Sequence, residues 1–250
     1  MTKIISIVNQ KGGVGKTTTT TNLAAVFADK KKILVIDFDP QGNSSSGLGV
    51  KDSKNDIYRV LSDEIIAEKA IMKTSIPNLD IIPCSIDLAS AEIELATQEK
   101  REFFLKNKIS SIANKYDIIL IDCPPSLGLL TINSLVASTH ILVPLQCEFF
   151  AMEGIVNLLD TAKRVEQNFN HGLKVDGVIL TMYSKGLKLT IDAENDIRKT
   201  LGNVVYKTVI PRNVDLSVAT SFGIPAVKQN SKCAGSIAYI ELGKEILSKI

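Results

Sequence analysis

Short apolar, β-branched runs recur along this chain, separated by segments in which apolar residues return every three to four positions. The runs Lys3–Val8, Ile33–Asp37, Leu79–Pro83, Asp117–Asp122, His140–Pro144, Val175–Met182 and Val204–Ile210 predict strands. Several are apolar on both faces, the pattern of parallel strands covered by helices on each side. The intervening periodicity predicts helices over 16–29, 56–61, 87–113, 128–137, 151–168, 190–201 and 235–248. This alternation predicts an α/β fold of three layers, with a mostly parallel twisted sheet between two helical layers. No repeat, low-complexity tract or long linker interrupts it, so residues 1–250 are expected to form one domain.

Composition narrows this picture only slightly. A chain of 250 residues with 45% hydrophobic content can bury a full core. The formal net charge of +2 does not by itself imply a nucleic-acid partner. Charge is uneven, however: from residue 171 onward there are 11 Lys and Arg against 7 Asp and Glu, whereas residues 1–170 hold 18 against 20. The cysteines Cys84, Cys123, Cys147 and Cys233 form no C-x-x-C pair, so reduced thiols are expected. No signal-peptide pattern opens the chain, and no apolar stretch approaches the ~20 residues of a membrane span. A cytoplasmic location is therefore expected. His140 and His171 stand in no catalytic constellation, and no Ser/His/Asp arrangement is visible. That inventory favours phosphate chemistry by positioning and electrostatics over a covalent intermediate.

The chemistry concentrates where predicted strands end. Lys11-Gly12-Gly13-Val14-Gly15-Lys16-Thr17-Thr18 lies between the first strand and the first helix, the setting of a phosphate-binding loop. Glycines let backbone N–H groups converge on an anion, and the helix N-terminus adds its positive dipole. Lys16 is expected to reach the β- and γ-phosphates, and the Thr17 hydroxyl to hold Mg²⁺. A second lysine, Lys11, stands at the opening of the loop, and a plain phosphate loop does not carry it. Asp37-Phe38-Asp39-Pro40-Gln41-Gly42-Asn43 follows the second strand, and two carboxylates there suit Mg²⁺ and water positioning. A polar turn is the simpler reading of the same residues. Ile118 to Asp122 is a buried strand ending in an acid, the form of a metal-side carboxylate, though an aspartate that only caps the next element fits too. Cys123, beside that acid, reads as core.

Taken together, these motifs resemble the ParA/Soj branch of the ParA/MinD superfamily. Lys11 to Thr18 matches its deviant Walker A sequence. Asp37 to Asn43 matches its D-x-D-P-Q-G-N, and Asp122-Cys123-Pro124-Pro125-Ser126 its Walker B region. Pro144 to Gly154, Ile210 to Val214 and the tail from Gly235 to Leu242 extend the match nearly end to end. The resemblance implies a P-loop NTPase fold and a chromosome- or plasmid-partitioning ATPase with ATP and Mg²⁺ as cofactors. It implies an ATP-bound sandwich homodimer that binds double-stranded DNA nonspecifically on the nucleoid. A ParB-type centromere-binding partner would stimulate weak basal hydrolysis and release the DNA. By the same resemblance, Lys11 reaches the partner subunit's nucleotide, and Gly12 lies at the dimer contact. Gly13, Val14, Gly15, Lys16, Thr17 and Thr18 cradle phosphate, and Asp39 orients water. Thr17, Asp37 and Asp122 support the metal, and Pro211 and Asn213 contact adenine.

Basic residues of the last third, Lys185, Lys188, Lys199, Arg212, Lys228 and Lys232, are the expected DNA footprint. Asp215 departs from the family, which commonly carries arginine there, and would shift the load toward Lys228 and Lys232. Because the chain opens directly on its first strand, sequence-specific operator binding is not expected. The alternative is a MinD-like membrane-cycling ATPase that positions the division site, which calls for a basic amphipathic C-terminal helix. A third class, an iron-protein-like electron donor, calls for cluster-ligating cysteines that Cys123 and Cys147 do not match.

Overall fold

The computed structural model describes residues 2–51, 53–148 and 151–249. Phe149 and Phe150, part of one matched motif, lie outside the described residues, as does Ile250 at the chain's end. Seven strands form one sheet: β1 (Lys3–Ile7), β2 (Ile33–Asp37), β3 (Met72–Lys73), β4 (Leu79–Ile82), β5 (Ile118–Asp122), β6 (His140–Gln146) and β7 (Lys174–Thr181). Their order is β3-β4-β2-β5-β1-β6-β7, and every pairing is parallel except β3 with β4.

The helices are α1 (Lys16–Phe27), α2 (Asn43–Gly47), α3 (Ile57–Leu61), α4 (Ala67–Ala70), α5 (Leu88–Leu95) and α6 (Phe104–Ala113). They continue with α7 (Leu129–Ala137), α8 (Ala151–Asn168), α9 (Lys188–Leu201), α10 (Val214–Ser221), α11 (Ala226–Gln229) and α12 (Ala234–Leu247).

Strand alternation sorts the core into two layers. Leu34, Ile36, Ile119 and Ile121 face one side, where Leu88 of α5, Ile109 of α6, Leu135 of α7, Ile155 of α8 and Ile197 of α9 cover them. Ile33, Val35, Ile118 and Leu120 face the other, under Leu23 of α1, Leu216 of α10, Val227 of α11 and Leu242 of α12. The three-layer expectation is met. Helix α8 shows the apolar spacing that builds such a layer, with Ile155, Leu158, Ala162 and Val165 buried at one face.

Three expectations are corrected. Val204–Ile210 is not a strand: it makes only an isolated bridge, Val178 to Val205, after a 3-10 turn over Gly202–Val204. Its backbone bonds β7 at Tyr206 and Ile210, whose amides donate to the Val178 and Leu180 carbonyls, and side chains take much of the rest. Arg198 donates to the Tyr206 and Lys207 carbonyls, while Glu245 accepts from the Lys207 and Thr208 amides. Tyr206 is fully buried against Gly177, where a Cβ would lie 2.2 Å from the ring. The predicted helix 87–113 breaks into α5, a 3-10 turn at Arg101–Phe103 and α6, because Lys100 adopts a left-handed φ of 54°. The segments at α2 and α10, not predicted as helices, are helical through tertiary contact rather than propensity.

Candidate functional site at the carboxyl edge of the sheet

Parallel pairing brings the strand ends into one row. Asp37 and Asp122 are register partners, and Ile7 pairs with Asp122, so the loop after β1 lies beside both carboxylates. In that loop Gly13 and Gly15 adopt φ of 74° and 91°, conformations that side chains disfavour. Gly15 is the N-cap of α1 and supplies no side-chain cap. Among the described residues, the amides from Gly13 to Thr18 make no hydrogen bond, which leaves a row of donors for an anion. Thr181 Oγ1 donates to the Val14 carbonyl at 2.8 Å and ties the loop to the end of β7. Asn9 braces its start, accepting from the Lys11 amide at 3.0 Å and donating to the Pro144 carbonyl at 2.7 Å.

Lys16 is buried and donates to the Lys11 carbonyl at 3.2 Å. Burial pushes its pKa down, and the charge of Asp122 partly offsets this. Thr17 Oγ1 donates to Asp122 Oδ2 at 2.8 Å, and Ser44 Oγ donates to the same oxygen at 2.7 Å. Thr20 holds Oδ1 at 3.2 Å. Lys16, Thr17 and Asp122 are thus brought together as the sequence implied.

Asp37 is also fully buried, but both its oxygens serve its own loop. Oδ2 accepts from the Ser45 amide and hydroxyl, each at 2.7 Å, and Oδ1 from the Asp39 amide at 3.4 Å. Burial, then the neighbouring Asp122 charge, raises the Asp37 pKa; burial raises that of Asp122 against the hydrogen bonds from Ser44 and Thr17.

Lys11 is the exposed lysine of the loop, paired with Glu148 at 2.6 Å. Such an exposed pair contributes at most about 1 kcal/mol and exchanges readily. Gly12 is exposed as well, and a Cβ there would meet only Pro125 Cβ at 4.0 Å. Among the described residues, no contact requires glycine at that position.

Pro211 bridges Tyr183 at the end of β7, and Asn213 follows as N-cap of α10. Asn213 Oδ1 is buried without a hydrogen-bond partner among the described residues. A buried, unsatisfied acceptor of this kind fits the amino edge of a purine. The unpaired amide row, Lys16, the Thr17–Asp122 pair and this orphaned oxygen together fit a magnesium nucleotide.

The six basic residues separate into two groups. Lys185, Lys188 and Lys199 are exposed on α9 and the loop before it, and Arg212 is held near that loop by the hydrogen bond its backbone N–H donates to the Tyr183 carbonyl. Lys228 and Lys232 lie beside α11 and α12 on the opposite layer, and Lys228 pairs with Asp29 at 2.6 Å. Asp215 sits in the first turn of α10, where a carboxylate favours the helix dipole, and accepts from Asn230 at 3.3 Å. Burial pushes the Cys123 and Cys147 thiols up to about 12, away from reactivity.

Sequence reasoning missed Ser44 and Ser45, which hold the two strand-end carboxylates, and Thr20 and Thr181, which brace the loop. The available signal was the run Asn43-Ser44-Ser45-Ser46, a poor helix former directly after the Asp-Pro-Gln-Gly turn.

Comparison with known proteins converges on one group. The family model described as an AAA domain matches residues 2–175. The chain is 47% identical to the sporulation initiation inhibitor protein Soj of Bacillus subtilis, covering 98% of each chain. It is 44% identical to the chromosome-partitioning ATPase Soj of Treponema pallidum, covering 100% of this chain and 98% of that one. Among solved structures, cobyrinic acid a,c-diamide synthase of Mycobacterium smegmatis with bound ADP and magnesium superposes with a TM-score of 0.87 at 33% identity, over 99% of this chain and 94% of that one. The septum site-determining protein MinD of Pyrococcus horikoshii, complexed with Mg-ADP, gives 0.82 at 31% identity, over 98% and 96%.

Proposed function

Because the chain belongs to the Soj/ParA family of partitioning ATPases, we propose that it is a DNA-segregation switch: ATP joins two copies, the pair holds DNA, and hydrolysis lets go. The chain is an ATPase using ATP and Mg²⁺. Lys16 and the amide row from Gly13 to Thr18 would hold the phosphates, Thr17 and Asp122 the metal, and Pro211 and Asn213 the base. Bound Mg²⁺ would neutralise charge between the β- and γ-phosphates. Asp39, mostly buried and turned back on the Gln41 amide at 3.1 Å, would orient the attacking water. Asp37 would act on the metal side through the loop it ties together.

The observation that carries the dimer is the outward pair at the loop tip. Lys11 is exposed and paired with Glu148, and among the described residues a Cβ on Gly12 would meet only Pro125 at 4.0 Å, so both fit a second subunit. A lysine supplied across the interface adds positive charge where the transferring phosphoryl group develops charge, an effect worth about 10³-fold or more. Each site is then incomplete in a single chain, and isolated protein should turn over slowly until a ParB-type partner acts. Sequence-independent DNA binding requires only phosphate contacts, and the exposed lysines and Arg212 supply the charge.

Gel shift or co-sedimentation with double-stranded DNA, run with ATP, ADP and no nucleotide, tests this. Retention only with ATP, strengthened in Asp39→Ala, is the expected result; retention regardless of nucleotide refutes the switch. A MinD-like membrane cycle is the second reading, favoured by the MinD likeness. Against it, α12 buries Tyr239, Leu242 and Ile246 in the core rather than presenting them to a bilayer. Retention on anionic vesicles in place of DNA would favour that reading.

A further inference from the structure

The loop that carries Asp39 is closed by a junction to which no role has been given. Asp37 stands at the end of β2, and Ser45 in the first turn of α2. The Ser45 amide and hydroxyl both donate to Asp37 Oδ2 at 2.7 Å. The same Ser45 oxygen accepts from the Cys84 amide, just beyond β4, at 3.0 Å. One side chain therefore fastens the ends of two neighbouring strands to a helix. Ser45 is 4% exposed, so water cannot substitute for it cheaply.

Everything between the two anchors is drawn tight. The Asp39 amide donates to Asp37 Oδ1, and the Gln41 amide donates to Asp39 Oδ1 at 3.1 Å. Gly42 adopts a φ of 62°, and a Cβ there would stand 3.3 Å from the Cys84 carbonyl oxygen. The loop thus lies against the Cys84 segment with no slack. Its helix, Asn43–Gly47, is too short and too serine-rich to stand by its own propensity. Removal of the Ser45 hydroxyl leaves the Cys84 amide without an acceptor and Asp37 with one donor fewer, and the loop can then drift.

We propose that Ser45 is a positioning residue for hydrolysis: by bonding Asp37 and the Cys84 amide at once, it fixes the loop that aims Asp39. The proposal rests on the ATPase reading of this site and adds a residue outside the family motifs described above. Ser45 touches no reacting atom and acts only through Asp39.

The test is a double-mutant cycle of Ser45→Ala with Asp39→Ala, read in single-turnover ATP hydrolysis and in nucleotide affinity measured with a fluorescent ATP analogue. Ser45→Ala should slow hydrolysis by about tenfold or more, as loss of alignment does, and leave nucleotide affinity within about twofold. In the Asp39→Ala background it should slow nothing further. Hydrogen exchange of the nucleotide-free protein supplies a readout apart from activity: residues 38–44 should exchange faster in Ser45→Ala, with the 11–18 loop unchanged. If Ser45→Ala does not fold, Ser45→Cys, with a larger and weaker donor, should slow hydrolysis and leave nucleotide affinity within about twofold; wild-type turnover there overturns the proposal.

Wild-type turnover in Ser45→Ala, or an equal further loss on top of Asp39→Ala, overturns the proposal while leaving the ATPase reading intact. Wild-type turnover in Asp39→Ala removes the water-orienting role of Asp39, and the proposal with it, whereas absence of hydrolysis in the wild-type protein would overturn the ATPase reading itself.

Discussion

At the scale of single residues, the loop divides into side chains that serve their own chain and side chains that do not. Lys16 is buried among the strand ends, whereas Lys11 is exposed and, among the described residues, a Cβ on Gly12 would meet nothing closer than Pro125. Lys16→Ala is expected to abolish nucleotide binding. Lys11→Ala should bind nucleotide within a few-fold of wild type yet lose most turnover, a split readable by titration beside single-turnover kinetics. Gly12→Val should leave folding stability within about 1 kcal/mol, the range of a surface change. It should still bind nucleotide but fail to dimerise with ATP in light scattering; a normal ATP dimer would remove Gly12 from the interface.

That Lys16, Thr17 and Asp122 meet at one sheet edge was legible because glycine spacing and strand-end acids are local patterns. Ser45 was not legible, because its partners Asp37 and Cys84 are joined only by the pairing of β2 with β4. The surrounding charges have a sign that can be checked. Burial raises the Asp37 and Asp122 pKa values in the folded protein, helped at Asp37 by the Asp122 charge and at Asp122 by the Asp39 charge. The folded state then holds protons that the unfolded chain releases, and stability falls as pH rises through the raised values. Nucleotide-free protein should therefore melt at a higher temperature near pH ~5.5 than near pH ~8 as far as this pair is concerned. Asp37→Asn should flatten that dependence; an identical pH slope in the variant would show that the pair is not its source.

At the scale of elements, the strands were legible from their apolar runs, and six of the seven predicted segments pair in the sheet. The exception, Val204–Ile210, has strand-like composition and bonds β7 at Tyr206 and Ile210, but between them Arg198 takes the Tyr206 and Lys207 carbonyls and Glu245 the Lys207 and Thr208 amides. Strand β3 escaped notice because two residues carry no periodicity. Helix α10 escaped because its Val, Thr and Ser residues are weak helix formers, and it is Leu216 and Ala219, buried against α1 and α12, that hold it.

The turns that follow α2 and α10 meet backbone on backbone. Gly223 has a φ of 69°, and a Cβ there would stand 2.9 Å from Gly49 Cα. Gly223→Ala is expected to cost about 2 kcal/mol or more, from left-handed strain and overpacking together. Gly186→Ala, at a φ of 93° with nothing within 4 Å, should cost only the backbone share, about 1 kcal/mol. Denaturant unfolding of the two variants separates these contributions, and equal losses would mean the α2–α10 contact yields freely.

At the scale of the whole molecule, the sheet separates the basic residues that a sequence count had pooled. The α9 group lies on one layer and the Lys228 and Lys232 pair on the other, a division visible only once the layers are assigned. DNA affinity should fall steeply with salt, and Lys228→Glu with Lys232→Glu should weaken it and lower the slope of log K against log salt by about 2. ATP-dependent DNA retention unchanged by that pair would move the footprint to the α9 side.

One consequence of the divided loop reaches beyond a single chain. If Lys11 serves the neighbour's nucleotide while Asp39 serves its own, then Lys11→Ala and Asp39→Ala are each inactive alone but repair one another when mixed. A mixed pair contains one site with both defects and one with neither. Random pairing of equal amounts should then restore roughly a quarter of the wild-type rate from two inactive stocks. Genetic complementation between two dead alleles would report an active site shared between chains.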